Sequence, residues 1–232
     1  MNHFSSSFHH QWQLSCLNWL MLMSAVFICN ISHAQDAGAS QEQTCCGPIT
    51  KSATHTLHLL DNMDVEHLWL AHQHINWETG VADRNVDYEG SGKSTHCSAF
   101  AAAVGQRLGI YLLRPPEHSQ ILLANAQTRW LAGDAAVGQG WTKLDGTISA
   151  QSHANWGDLV LILYQNPNPK KPGHIAIVRP SLKTQQELEE KGPDVAQAGT
   201  QNHSNWDAKH AFLGHAGAWP NGVQYFSHTI NP

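Results

Sequence analysis

Two residues stand where nucleophilic chemistry would need them. Cys97 opens the segment Ser98-Ala99-Phe100-Ala101-Ala102-Ala103-Val104, whose composition is that of a strong helix former. At a helix N-terminus, unpaired backbone N–H groups and the helix dipole favour a thiolate, and the same groups can stabilise an oxyanion. The competing reading is a small buried core residue, a common fate of free cysteine. His174 follows Pro172-Gly173 and opens the apolar run Ile175-Ala176-Ile177-Val178. A histidine there projects from the end of a strand. It can serve as base if the fold brings its ring within about 2.6–3.2 Å of the thiol. The competing reading is a solvated strand-end histidine.

Two other patterns carry less. Gly90-Ser91-Gly92-Lys93-Ser94-Thr95 resembles the end of a phosphate-binding loop, but Asp87 stands where the pattern requires its first glycine, and no apolar strand leads into it. His72 and His74 could bind a metal, yet no third ligand follows at a zinc-site spacing, so they read as surface histidines.

The elements that must position Cys97 and His174 follow from patterning. Apolar residues at helical spacing predict a helix over 63–75, and the polar, glycine-rich stretch 76–95 reads as a loop. The Cys97 helix should end near Gly109. Pro115-Pro116 makes a turn, and 117–131 predicts a third helix. The second half changes character. The continuous apolar run 159–164 reads as a buried strand, 168–173 as a hairpin loop and 174–178 as the returning strand. Residues 180–193 form a charged excursion with room for one helical turn. Residues 195–199 and 223–226 are short strand candidates. Helices first and an antiparallel sheet after make an α+β pattern.

The segments Thr95-His96-Cys97-Ser98-Ala99-Phe100, Gly157-Asp158-Leu159-Val160 and Gly173-His174-Ile175-Ala176-Ile177-Val178 occur in the order seen in the NlpC/P60 and CHAP superfamily, which this chain resembles over roughly 88–199. The resemblance implies a papain-like α+β fold with N-terminal helices and a C-terminal antiparallel sheet. It also implies amide hydrolysis, often in peptidoglycan stem peptides, by a thiolate–imidazolium pair of Cys97 and His174 without metal or organic cofactor. The family's third polar residue lies on the strand after the histidine strand. That proposes Gln197, with Asn202 as rival, either amide accepting from the Nδ1–H of His174. Tyr88 falls where many members have a tyrosine lining the substrate site. His96 departs from the aspartate that many members carry before the nucleophile. Asp158 reads as a turn-tying carboxylate. Trp156, Trp206 and Trp219 read as core residues or, alternatively, as the lining of a groove. An acyltransferase on the same scaffold and a catalytically inactive binding module are the other functional classes.

The remaining sequence bounds the setting. Residues 1–34 contain no Lys, Arg, Asp or Glu, hold a short apolar core, and end in Ser32-His33-Ala34. They read as a secretory signal peptide cleaved after Ala34, the alternative being a tethering helix that stays attached. The core is too short for a comfortable span, so no integral membrane segment is expected in the mature form. The expected organisation is a signal peptide over 1–34, an N-terminal extension over 35–62 and one catalytic domain over 63–232, in a periplasmic or secreted protein. With a formal net charge of −5 and mixed signs, the chain shows no nucleic-acid surface. Past residue 34 remain Cys45, Cys46 and Cys97. Three is odd, so in an oxidising compartment at least one lacks an intramolecular partner. Cys45 and Cys46 could pair with each other or with another chain.

Overall fold

The computed structural model describes residues 44–84 and 95–231. The expected signal peptide and Tyr88 lie outside the described residues.

The strand β2 (Leu159–Tyr164) is the centre of the molecule, and its unbroken apolar run has a direct cause. Side chains alternate across a sheet, so a strand apolar at every position must be covered on both faces. Leu159, Leu161 and Leu163 pack on one side with Ile175, Ile177, Ala196, Ala198 and Phe226. Val160, Ile162 and Tyr164 pack on the other with Ala176, Val178, Val195 and Tyr225. These residues come from β3 (His174–Val178), β4 (Asp194–Ala198) and β6 (Val223–His228). With β1 (Trp141–Leu144) and β5 (Asn202–Asp207) they form one antiparallel sheet in the order β1-β6-β2-β3-β4-β5.

Helices cover both faces. On the first lie α2 (Cys97–Arg107), which contributes Ala99, Phe100, Ala103 and Val104, and α3 (Leu123–Leu131), which contributes Ala124 and Leu131. The short helix α4 (Asp134–Gly138) follows α3 on the same side through Ala136. On the second face lie α5 (Thr147–Trp156), through Ala150 and Ala154, and α7 (Ala208–Phe212), through Ala208, Ala211 and Phe212. The charged excursion holds α6 (Gln185–Lys191), which starts at a capping box in which Thr184 and Glu187 satisfy each other's backbone N–H groups. The molecule is thus mixed α and β, with an antiparallel six-stranded sheet between two helical layers.

Two expectations require correction. The first helix is not at 63–75 but at α1 (Lys51–Asn62), started by Thr50, whose hydroxyl accepts from the N–H of Ala53. Residues 63–75 are a series of turns, with Asp64, Trp69 and His72 in left-handed backbone conformations that no helix accommodates. Their apolar members are still buried, since Met63, Val65, Trp69 and Ile75 reach the core from turns. Residues 51–62, read above as part of an N-terminal extension, form this helix. Helix α1 buries Ala53, Thr56 and Leu60 and packs against α5, within the same compact unit. Helix α3, expected from 117, begins only at Leu123 after a turn-rich passage. Cys45 and Cys46 are disulfide-bonded to each other, and Cys97 is free and buried.

Candidate active site

Cys97 is the first residue of α2, and His96 is its N-cap. His96 caps with no side-chain hydrogen bond to the helix. Its Nε2–H instead donates to the carbonyl of Gln73 at 2.9 Å, and burial holds its pKa below the ordinary histidine value. A neutral, buried imidazole thereby ties the entry of the helix to the preceding loop. From the other side, Gln127 of α3 donates its amide to the carbonyls of Ser98 (3.0 Å) and Leu113 (2.9 Å). The start of α2 is fixed from two directions, which an expected nucleophile requires.

His174 is the first residue of β3 and pairs with Tyr164, the last of β2. Gly173 before it leaves no room for a side chain, because a Cβ there would overlap the carbonyl oxygen of Tyr164 and come within 2.5 Å of Asn125 Oδ1. Asn125 is buried on α3 and clamps the hairpin, accepting from Asn166 N–H (3.0 Å) and donating to the Lys171 carbonyl (2.8 Å). This clamp fixes where the returning strand begins. Nothing in the sequence separates Asn125 from an ordinary helix polar residue.

The imidazole of His174 sits in a built environment. Its Nε2–H donates to Gln197 Oε1 at 2.5 Å, and Gln197 Nε2 donates to the Gln201 carbonyl at 3.0 Å, which fixes the amide's orientation. The bond is therefore on Nε2, not on the Nδ1 that was expected, and Nδ1 is the ring nitrogen left for a proton from elsewhere. Phe212 presents its edge to the ring at 4.9 Å, and His215 stacks on it at 4.8 Å with planes 16° apart. Tyr164 holds the His215 segment through its hydroxyl, which donates to the Ala216 carbonyl at 2.8 Å. His215 gives no sign of itself in the sequence, being one of 17 scattered histidines.

Asn202 does not reach His174. Its amide nitrogen donates to the carbonyls of Val65 (2.7 Å), Leu68 (2.8 Å) and Trp69 (3.2 Å), pinning the turns after α1 to β5. Of the two amides it is Gln197 that meets the imidazole. Loss of the Gln197 side chain in Gln197→Ala is expected to lower turnover by roughly ten- to a thousandfold, about 1.4–4 kcal/mol of barrier. Asn202→Ala is expected to lower stability by about 1–3 kcal/mol, through carbonyls left without a donor, and to change turnover little. Steady-state kinetics and thermal melts on both variants separate the roles, and near-normal turnover in Gln197→Ala would remove the orienting role.

Cys97 and His174 approach from different faces of the sheet. Ala196 and Ala198 pack with Cys97 and α2, so Gln197 points to the opposite face, where α7 lies. Ile175, the neighbour of His174, directs its backbone N–H at the Cys97 sulfur, as do the N–H groups of Ser98 and Cys97. The thiol thus lies against the backbone of the residue after His174, and no hydrogen bond joins the two side chains in this state: the sulfur's bonds come from backbone N–H groups and the ring's from Gln197. Both side chains are nearly sealed, Cys97 being 4% and His174 3% exposed.

Burial decides their charge. It pushes the Cys97 thiol up to about 11, against the pull of the three N–H groups. It pushes His174 down to about 3, assisted by His215 and opposed by the Gln197 bond. The resting pair is therefore a neutral thiol and a neutral imidazole, in place of the expected thiolate–imidazolium pair. A ring that protonates near 6.5 when unfolded but only near 3 when folded lets the unfolded chain bind more protons in between. Its contribution to stability is full above pH 6.5 and is lost as pH falls toward about 3. Thermal melts over that window should show a falling midpoint, and His174→Gln should flatten the slope by an amount on the order of a few kcal/mol. An unchanged slope would contradict the buried neutral ring.

The other singled-out residues lie elsewhere. Asp158 accepts from His153 Nδ1–H at 2.7 Å at the turn between α5 and β2. Trp206 and Trp219 pack against the second core face, whereas Trp156 is 71% exposed. A cleft of about 420 Å3 lies beside Trp156, remote from Cys97, and does not coincide with the thiol. Among the described residues no cluster of three or more His, Cys, Asp or Glu could hold a metal ion, and no helix is long and apolar enough to cross a membrane. No family model matches the chain, and no curated protein matches it.

Proposed function

We propose that the protein is an exported cysteine peptidase or amidase of the papain-like, NlpC/P60 kind that cleaves an amide bond in peptidoglycan stem peptides. The observation that carries this reading is the His174–Gln197 bond on Nε2, which frees Nδ1 at the strand end where the next residue's N–H meets the Cys97 sulfur. Sγ attacks the carbonyl carbon as its proton passes to Nδ1 of His174. The N–H groups at the start of α2 face the developing oxyanion. The imidazolium gives that proton to the leaving amine as the C–N bond breaks, leaving a thioester. Water then adds to the thioester carbon, one of its protons passing through His174 to the departing sulfur, and the acid is released. Because the resting pair is neutral, proton transfer accompanies attack and does not precede it. Tight alignment belongs to the substrate complex, since such bonds are often long in free enzymes.

A second reading, a catalytically inactive module on the same scaffold, is favoured by one observation: the sealed thiol with its pKa near 11. Incubation of the full chain with purified sacculi, followed by mass analysis of released fragments, separates the two. Hydrolysis predicts fragments carrying a new carboxyl group, absent with Cys97→Ala. An acyl acceptor incorporated in place of water would assign transfer instead. No Cys97-dependent fragment would leave the binding module.

A further inference from the structure

The cleft beside Trp156 is built at the far end of β2 from His174. Its lining comes from the start of α1 (Ser52), the end of α5 (Ser152, His153, Trp156), the turn at Asp158 and the C-terminal residues Thr229 and Ile230. Strand β2 separates Asp158 from the Tyr164–His174 pair by six residue steps, about 20 Å.

The backbone under Trp156 is immobilised. Thr50 Oγ donates to the Trp156 carbonyl at 2.9 Å, and Thr50 N–H donates to the Asn155 carbonyl at 3.0 Å. Asn155 is itself buried, and its amide nitrogen donates to the carbonyls of Gly47 (3.1 Å) and Ser181 (3.0 Å). Gly157, at φ +108°, lets the chain turn directly against α1, where a Cβ would meet Ser52 Oγ at 2.5 Å. The result is a large aromatic side chain held in solvent by a rigid frame. Folding alone does not favour that placement, since burial of an indole is among the larger apolar gains open to a chain.

The chemistry of the lining narrows the ligand. It contains no Lys or Arg, which removes phosphates and other anions. Its one carboxylate, Asp158, is already engaged by His153, so a cation finds no free charge. The hydroxyls of Ser52, Ser152 and Thr229 and the His153 ring offer both donors and acceptors in the same lining as the exposed indole of Trp156. A flat apolar platform rimmed by neutral donors and acceptors matches a ring with an apolar C–H face and a hydroxyl periphery. We infer that this cleft binds a neutral saccharide chain, with a pyranose ring laid on Trp156. The inference stands apart from the proposed hydrolysis and needs no reaction at Cys97.

The test uses the full chain carrying Cys97→Ala, so that turnover plays no part. Three tetrasaccharides, of N-acetylglucosamine, β-glucose and α-glucose, are titrated while the Trp156 indole N–H signal is followed by NMR. At least one should give a saturable shift at Trp156. Its affinity should fall at least tenfold in Trp156→Ala and stay within a few-fold in Trp156→Phe, which keeps an aromatic platform. Because Trp156 is largely exposed, its loss should leave the fold intact, as thermal melts would check. No saturable shift with any of the three, or binding undiminished in Trp156→Ala, would overturn the inference. So would saturable binding of a proline-rich decapeptide in place of all three sugars, which would assign a peptide-docking surface.

Discussion

Replacement of Cys97 by alanine is expected to abolish the proposed amide hydrolysis, lowering kcat/KM by at least about ten-thousandfold, equivalent to roughly 5.5 kcal/mol of transition-state stabilisation. The expectation follows from the absence of a substitute. Cys97 is the free cysteine at the start of α2, and nothing else there can form the thioester. The same substitution should leave the fold intact. Alanine is small, fits a helix start flanked by Ser98 and Ala99, and removes one buried sulfur from a position nearly closed to solvent. A thermal midpoint close to the parent's, with turnover gone, is the expected pair of results. Turnover retained in Cys97→Ala would show that the chemistry lies elsewhere. A large fall in midpoint would show that the thiol serves chiefly as packing.

The second large effect is expected one residue before the imidazole. Gly173→Ala places a methyl group against the Tyr164 carbonyl and 2.5 Å from Asn125 Oδ1, two groups that cannot give way cheaply. The carbonyl belongs to β2, the central strand, and Asn125 is held by Asn166 and Lys171. Relief requires opening the hairpin, so a loss of about 2–4 kcal/mol is expected, through overpacking together with a broken buried clamp. For a domain of this size that is a fall of roughly 4–16 °C in thermal midpoint. The strand start moves with the hairpin, so His174 should leave its Gln197 bond and activity should fall more steeply than stability. Melts and kinetics on one preparation check both. A normal midpoint would mean that the hairpin yields without strain. Normal activity beside a lowered midpoint would mean that the position of His174 matters less than its presence.

How far the chain announces this arrangement depends on the reach of each interaction. Strands β2 and β3 were legible because burial on both faces demands an apolar residue at every position, a constraint written in consecutive residues. The ends of both match the runs from Leu159 and from His174. Cys97 at a helix start was legible for the same local reason. Helix α1 was not, because its buried stripe of Ala53, Thr56 and Leu60 has one small and one polar member and so writes a weak apolar pattern. The apolar spacing over 63–75 misled because turns can deliver Trp69 and Ile75 to the core as well as a helix can. Strand β5 was hidden by its half-exposed polar residues at the edge of the sheet, and β1 by its brevity.

The site divides in the same way. Gln197 and Asn202 are both amides near the end of one strand, and sequence could not choose between them. The choice depends on a bulge between Val195 and Gln197 and on turns from the other end of the chain that claim Asn202. His215 and Asn125 act only through contacts across long separations in sequence. The charge state was misjudged because a helix N-terminus lowers a thiol's pKa only where water is near enough to solvate the anion, and here burial outweighs it.

The union of Cys45 with Cys46 has an experimental corollary. It occupies the two neighbouring sulfurs and leaves Cys97 as the free thiol among the described residues. A chain with the usual scatter of cysteines must be stripped by mutagenesis before one sulfur can carry a spectroscopic label. Among the described residues the unaltered fold presents one reporter thiol, at the start of α2. Whatever opens that place to solvent will register as a change in how fast one sulfur takes up a dye.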